Sequence, residues 1–309
     1  MINQRNHGST QWGVTTTLLK RFLQLPADAV IASSKKLFLK VSESVMRDPH
    51  VADKFYPYKP YQSDYILLKS GGERSGLGLP TPPQELWMGY GPTTEAFLNS
   101  GKVDVDKMKN ILGSVGFRIQ DGNRVLDFGC ASGRMIRWLN DFAEQCEIWG
   151  VDISAEHIIW CQQHLSPPFN FAAVTTSPHL PFEDSQFDLI YCGSVFTHIA
   201  DLADAWLLEL KRIARPGGKL YVTVHDRHSA DLIMDHPEKN AWLRNLLLSY
   251  NKKENFGSRN FAMFTMFRGA ESQVFYDIDF LRQHWGRFLN VLSITPEAYS
   301  YQTALVLEK

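Results

Sequence analysis

The sequence predicts an α/β fold with a mostly parallel central sheet, and three observations carry that prediction. Short apolar runs (VLDF, DLIYC, LYVTV) alternate with stretches of helical period across residues 85–225. Those runs stay apolar at successive positions, as strands covered on both faces do. Strands separated by helices need crossover connections, which are right-handed and leave the strands parallel.

In chain order, RVLDF (124–128) reads as a strand and RMIRWLNDFAEQ (134–145) as the helix after it. CEIWGVDIS (146–154) reads as a strand and turn, and AEHIIWCQQHL (155–165) as a helix. FDLIYCGSVF (187–196) is a strand, LADAWLLELKRIA (202–214) a helix stopped by ARPGG, and KLYVTV (219–224) the next strand. After His225, SADLIMDHPEKNAWLRNLLLSY (229–250) carries an amphipathic helical pattern with a break near Pro237. NKKENFGSRNF (251–261) is polar and loop-like, and IDFLRQHWG (278–286) is a helix. FLNVLSITP (288–296) and TALVLEK (303–309) read as strands joined by EAYSYQ, an antiparallel hairpin at a sheet edge.

Ahead of this core, VTTTLLKRFLQL (14–25) and ADAVIASSKKLFLKVSESVM (27–46) carry helical periodicity with lysines on the opposite face. KFYPYKPYQSDYILL (54–68) is dense in Tyr and Pro; Tyr56, Tyr58, Tyr61 and Tyr65 are expected to pack this region. GGERSGLGLPTPP (71–83) reads as a linker. The expected organisation is an N-terminal helical extension over 1–84 and a core over 85–309, with an inserted cap at 228–270.

The chain has 309 residues, is 44% hydrophobic and carries a formal net charge of −1, so no basic excess points to nucleic acid or a membrane surface. No apolar run has the ~18 residues of a membrane span. The polar start MINQRNHGSTQWG lacks a signal-peptide core, which points to the cytoplasm. The acid-poor stretch to Pro26, with Arg5, Lys20 and Arg21, leaves an organellar transit peptide as the lesser alternative. Cys130, Cys146, Cys161 and Cys192 form no CxxC pair and sit beside no His cluster, which argues against a metal site and for free thiols.

The chemistry concentrates in RVLDFGCASGRM, residues 124–135. A strand ends in Asp127, and the chain then turns through Gly129, Cys130, Ala131, Ser132 and Gly133. In open parallel sheets ligands bind beyond the carboxyl ends of the strands. Glycine lets the backbone approach a ligand closely, and a following helix offers unpaired N–H groups. Two ligand classes use this geometry. Dinucleotides need G-x-G-x-x-G, and here Arg134 occupies the third glycine position, so the fingerprint fails. S-adenosylmethionine is the other, and its cationic sulfonium and ammonium groups favour a carboxylate such as Asp127.

Asp127, Gly129, Ala131 and Gly133 align with the acid-x-Gly-x-Gly-x-Gly motif of class I S-adenosylmethionine-dependent methyltransferases, which the chain resembles, Ala131 replacing the middle glycine. GVDIS is similar to the second motif, LPFEDSQFDLIYCGSVFTHI to the family's LPF-acidic-FD run, and RPGGKLYVTV to its turn into strand five. The resemblance spans roughly residues 120–225 and implies a Rossmann-like, seven-stranded, mostly parallel sheet with an antiparallel C-terminal edge hairpin. It implies S-adenosyl-L-methionine as cofactor and S-adenosyl-L-homocysteine as product. Asp152 would take both ribose hydroxyls and Ile153 would pack on the adenine. The acid that usually holds the adenine amino group is replaced near Thr176, whose hydroxyl can accept instead. Cys130 is expected as a tolerated small residue of the cofactor loop rather than a nucleophile, and Ser194 joins the cofactor set. In PPQELWMGYGPTTEAFLNSG, Trp87, Met88, Gly89 and Tyr90 are placed to close over the methionine moiety, with plain packing the alternative for Trp87.

His198 in SVFTHIAD and His225 in VTVHDRH follow strands four and five and are the catalytic candidates, as base or acceptor contact; bracing of the strand-four loop is the alternative for His198. Asp127 and Asp152 each have helix capping as the plainer role, with Ser154 the better cap of the second helix. The expected function is methylation of a small organic acceptor at oxygen or nitrogen, in specialised metabolism, by a monomer or homodimer that binds no nucleic acid. The alternatives are a non-catalytic partner subunit that kept the pocket, a nicotinamide-dependent oxidoreductase, and a synthase using the decarboxylated cofactor.

Overall fold

The computed structural model describes residues 78–254, 260–267 and 272–309. The two N-terminal helical patterns, the Tyr/Pro-rich run and most of the 1–84 extension lie outside the described residues. So do parts of the polar loop after Tyr250.

Strands β1 (Arg124–Phe128), β2 (Glu147–Asp152), β3 (Asn170–Ala173), β4 (Phe187–Cys192) and β5 (Ala214–Asp226) lie parallel in the order β3-β2-β1-β4-β5. Two later strands complete the expected seven-stranded core with its edge hairpin: β9 (Gln302–Glu308) pairs antiparallel with β5, and β8 (Asn290–Tyr299) antiparallel with β9. Strand order reverses where β4 leaves β1 on the side opposite β2, and the carboxyl ends of these three strands surround one crevice.

Helices cover both faces. Val105, Met108 and Leu112 of α1 (Thr94–Ser114) and Ile158 and Cys161 of α2 (Ala155–His164) pack against Val125, Ile148, Leu189 and Tyr221. Trp206, Leu207 and Leu210 of α3 (Ala203–Ile213) and Leu281 and Trp285 of α6 (Ile278–Trp285) pack on Leu126, Ile190 and Val222 from the other side. Each such side chain contributes about 1.5–3 kcal/mol by leaving water.

Between β5 and α6 the chain makes an insert. It comprises α4 (Arg227–Asp235), α5 (Ala241–Glu254), β6 (Met263–Met266) and β7 (Gln273–Tyr276). The expected break at Pro237 separates α4 from α5. Asp226 caps α4 through a reciprocal box with Ser229. Strands β6 and β7 are additions to the expected fold. β7 lies parallel to the last residues of β5, pairing His225 with Phe275 and Asp226 with Tyr276, so the insert is built onto the crevice end of the sheet.

Three local expectations change. RMIRWLNDFAEQ does not form an α-helix; Ile136–Phe142 winds as a 3-10 helix, with Trp138 N donating to Met135 O and Ala143 N to Asn140 O. Arg134 and Arg137 are both drawn inward there, which interrupts the period of an ordinary amphipathic helix. ARPGG does not precede β5 but belongs to it, as an irregularity in its pairing with β4. The linker EAYSYQ shrinks to a tight turn at Ser300 and Tyr301, because β8 continues to Tyr299.

Arg134 ties these layers together. Its Nη1 lies 2.8 Å from Asp104 Oδ2 of α1, Nη2 donates to the Tyr299 hydroxyl of β8, and both charged side chains are buried. Removing one partner of a buried pair strands the other charge. Asp104→Ala is expected to lower unfolding free energy by about 3–5 kcal/mol in urea titrations. Asp104→Asn, which keeps a hydrogen-bond acceptor, should lose less.

Candidate active site

The turn after β1 passes through left-handed backbone at Gly129 (φ 84°), Ala131 (φ 45°) and Gly133 (φ 78°). A Cβ at Gly129 would strike Val195 of the loop after β4, and one at Gly133 would strike Leu165. Only glycine therefore fits at these two positions. Gly129 N and Cys130 N both donate to Val151 O, at 2.8 and 3.0 Å, and Ala131 N donates to Asp152 Oδ2 at 2.8 Å. The end of β2 thus holds the turn after β1. The other oxygen, Asp152 Oδ1, accepts from Ser154 N at 2.8 Å, while Ser154 itself caps α2. Each carboxylate oxygen has a second lone pair to offer a ligand hydroxyl.

Asp127 is 2% exposed, and its Oδ2 has no hydrogen-bond partner. Burial pushes its carboxyl up to about 7, against the opposing influence of Tyr191 and Arg134. The Tyr191 hydroxyl is also buried without closing a hydrogen bond. A buried carboxylate oxygen without a hydrogen-bond partner, near the end of β1 and beside a turn in left-handed backbone, suits a cationic ligand. The residues present therefore fit S-adenosylmethionine: Asp127 for its positive charge, Asp152 for its ribose.

Most of the remaining candidates follow the carboxyl ends of the parallel strands. Ile153 is 60% exposed just past Asp152, a large apolar side chain held in solvent. Thr176 is exposed beyond the end of β3, whose Ala173 pairs with Asp152. Cys130 turns its thiol into the core beside Cys161, where burial raises it well above the usual thiol range, so only its backbone belongs to the turn. Trp87 is buried, stacks on Phe97 at 5.1 Å and donates Nε1 to Pro82 O; it packs. Tyr90 lies under the Arg134 guanidinium at 3.9 Å and accepts a hydrogen bond from the Tyr299 hydroxyl. The segment containing both is fastened to the cofactor turn by Ser132 Oγ, which donates to Leu86 O.

Ser194 follows β4 with φ 60°. Its N–H donates to Thr223 Oγ1, which donates to Gln302 Oε1, and Gln302 Nε2 returns to Ser194 Oγ at 2.8 Å. His198 is exposed four residues later, with Nδ1 2.8 Å from Ser272 O. His225 is 2% exposed, and neither ring nitrogen has a partner. Burial, with a smaller contribution from His198, lowers it to about 3, and its ring lies against Phe275 and Tyr301. His225 is thus neutral, buried against aromatic rings, and a poor proton acceptor. Of the two histidines the geometry favours His198 for that role.

Sequence reading missed Arg134, Thr223, Gln302 and Ser272. Arg134 did leave a signal, since it is the residue that breaks the dinucleotide fingerprint. The others act across long sequence separations, and no local pattern marks them.

Comparison with known proteins agrees with this geometry. A family model described as a methyltransferase domain matches residues 126–222, the stretch from β1 into β5. An uncharacterised methyltransferase of Schizosaccharomyces pombe is 27% identical over 154 residues, 46% of this chain and 52% of that protein. A tRNA U34 carboxymethyltransferase of Campylobacter curvus is 35% identical over 105 residues, 33% of this chain and 34% of that protein. A fatty-acid O-methyltransferase of Mycolicibacterium smegmatis is 28% identical over 113 residues, 35% of this chain and 39% of that protein. The chain spans about half or less of the length of these relatives. Residues 126–222 are thus similar to a methyltransferase domain, and S-adenosylmethionine is the cofactor this match and the site's residues support.

Asp127 makes the site's electrostatics measurable. An acid whose folded pKa lies near 7, against about 3.9 unfolded, stabilises the fold only in its protonated form. That contribution is complete below about pH 4 and is lost as pH rises through about 7. Asp127→Asn should therefore be more stable than the parent at pH 8 in denaturant titrations. The difference should shrink toward pH 4.

Proposed function

We propose that the chain transfers a methyl group to a hydroxyl or amine of a small organic acceptor. The observation that carries this reading is the pair of carboxylates, Asp127 and Asp152, at the ends of neighbouring strands around a turn closed to any Cβ at Gly129. When bound, S-adenosylmethionine supplies an electrophilic methyl on a cationic sulfur. A bound cation favours the ionised form of Asp127, whose negative charge then acts in a buried setting at low dielectric. Asp152 accepts hydroxyls with lone pairs left over from its two backbone contacts. Ile153 and Thr176 stand beside it for the adenine. The packed segment through Trp87 and Tyr90 keeps water from the turn.

His198 Nε2 takes the proton leaving the acceptor, a contribution of about 10²–10⁴ for a positioned base. His225, Phe275 and Tyr301 form an uncharged aromatic wall nearby. The insert bearing Phe275 stands at the end of β5 and presents Trp242, Met263 and Phe267 partly to solvent. These side chains suit an organic acceptor, and the net charge of −1 gives a nucleic acid no electrostatic help. The relatives' names cover both kinds, a tRNA enzyme and a fatty-acid enzyme. The aromatic wall here favours the small apolar kind. We further propose that the insert selects the acceptor.

Calorimetry tests the cofactor half of this reading. S-adenosylhomocysteine should bind in the micromolar range, about −8 kcal/mol, with no competition from NADH. Asp152→Ala should weaken it at least about ten-fold, because hydrogen bonds to a charged acceptor contribute about 1.5–3 kcal/mol each. Unchanged affinity in that variant would remove Asp152 from the site. A panel of phenols and long-chain carboxylic acids with labelled methyl donor tests the other half. Transfer to a member of the panel should fall by at least ~10²-fold in His198→Ala while S-adenosylhomocysteine affinity stays the same. Transfer to tRNA alone would overturn the small-acceptor assignment.

A further inference from the structure

We infer that Ser272, where the insert returns to the sheet, is the positioning residue of His198 and fixes which of its ring nitrogens is free. The inference rests on the reading of His198 as the base. Two contacts join the residues reciprocally: Ser272 Oγ donates to His198 O, and His198 Nδ1 lies 2.8 Å from Ser272 O. A carbonyl oxygen can only accept, and at 2.8 Å it outcompetes the Gln273 amide nitrogen, a donor 3.4 Å from the same atom, so Nδ1 carries the proton. In a neutral imidazole the other nitrogen then holds the lone pair. Nε2 makes no hydrogen bond among the described residues, and His198 is exposed. The contact therefore turns the basic nitrogen outward in the one tautomer able to take a proton.

The surroundings hold both partners in place. Ser272 is 1% exposed, so its hydroxyl has no water to exchange with. Val274 N, two residues on in β7, donates to Thr197 O at 2.8 Å, and His198 N donates to Val195 O at 2.9 Å. From the opposite side, Thr197 Oγ1 donates to Ser194 O, so Ser194 Oγ must donate to Thr197 Oγ1. That leaves Ser194 Oγ as the acceptor for Gln302 Nε2. The loop bearing His198 is therefore gripped between β9 on one side and the insert on the other. Loss of the Ser272 hydroxyl removes a donor from the part-buried His198 carbonyl and frees the segment that supplies the Nδ1 acceptor. The imidazole can then turn and exchange tautomers.

Nitrogen-15 NMR of the histidine rings in the full chain tests this without any acceptor. Assigned by its absence in His198→Ala, the His198 signal of the parent protein should show a protonated Nδ1 and an unprotonated Nε2 in the neutral form. Ser272→Ala should shift it toward a mixture of tautomers, and Ser272→Thr, which keeps the hydroxyl, should restore the parent pattern. A protonated Nε2 in the parent protein would overturn the inference, whether or not the variants fold. So would an unchanged pattern in Ser272→Ala. Wild-type transfer rates in His198→Ala would instead overturn the role of the base and leave these spectra as they are.

Discussion

One carboxylate holds the cofactor turn in shape. Ala131 sits in left-handed backbone, which costs a residue with a Cβ about 1–2 kcal/mol. Its N–H donates to Asp152 Oδ2, and a hydrogen bond to a charged acceptor returns about 1.5–3 kcal/mol. The two terms are of similar size, with the bond the larger, so the turn persists where the family's glycine is missing. The same bond adds to the β1–β2 ladder and the two N–H bonds to Val151 O, which together set the spacing of Asp127 and Asp152.

A second constraint comes from the other side of the turn. Arg134 brings a buried positive charge to α1, β8 and the segment carrying Tyr90. Taking two charges out of water is costly, and such a pair adds little net stability over an apolar replacement. What the pair gives is registration, because Asp104, Ser100, Tyr90 and Tyr299 converge on one guanidinium. Gly101 completes the fit, since a Cβ there would strike the Arg134 carbonyl. The helix packs at the one distance that lets the turn, the ion pair and the aromatic rings meet.

Much of this was legible in the sequence because it is written locally. The run from Arg124 to Gly133, the acid ending GVDIS and the apolar runs of β4 and β5 each place a chemical requirement within a few residues. What escaped reading is written across the fold. Helix α1 buries Gly101 and Asp104 in its apolar stripe, and both disguise the helical period; each is explained only by Arg134. Strands β6 and β7 are four residues each, too short for alternation to show amid an aromatic-rich insert. The Gln302 contact to Ser194 spans 108 residues and the Ser272 contact to His198 spans 74, so no spacing rule reaches them. The two histidines looked alike in sequence, each following a strand. Burial separates them, leaving His225 neutral against Phe275 and His198 in the open.

The central claim is that Asp127 and Asp152 form one cofactor site around the Gly129–Gly133 turn. A crystal structure with S-adenosylhomocysteine tests it most directly. The account predicts ribose hydroxyls within hydrogen-bond distance of Asp152, the adenine against Ile153, and the amino-acid end of the ligand on the Asp127 side of the turn. A nucleoside seated elsewhere, with Asp152 touching only the backbone of Ala131 and Ser154, would contradict it.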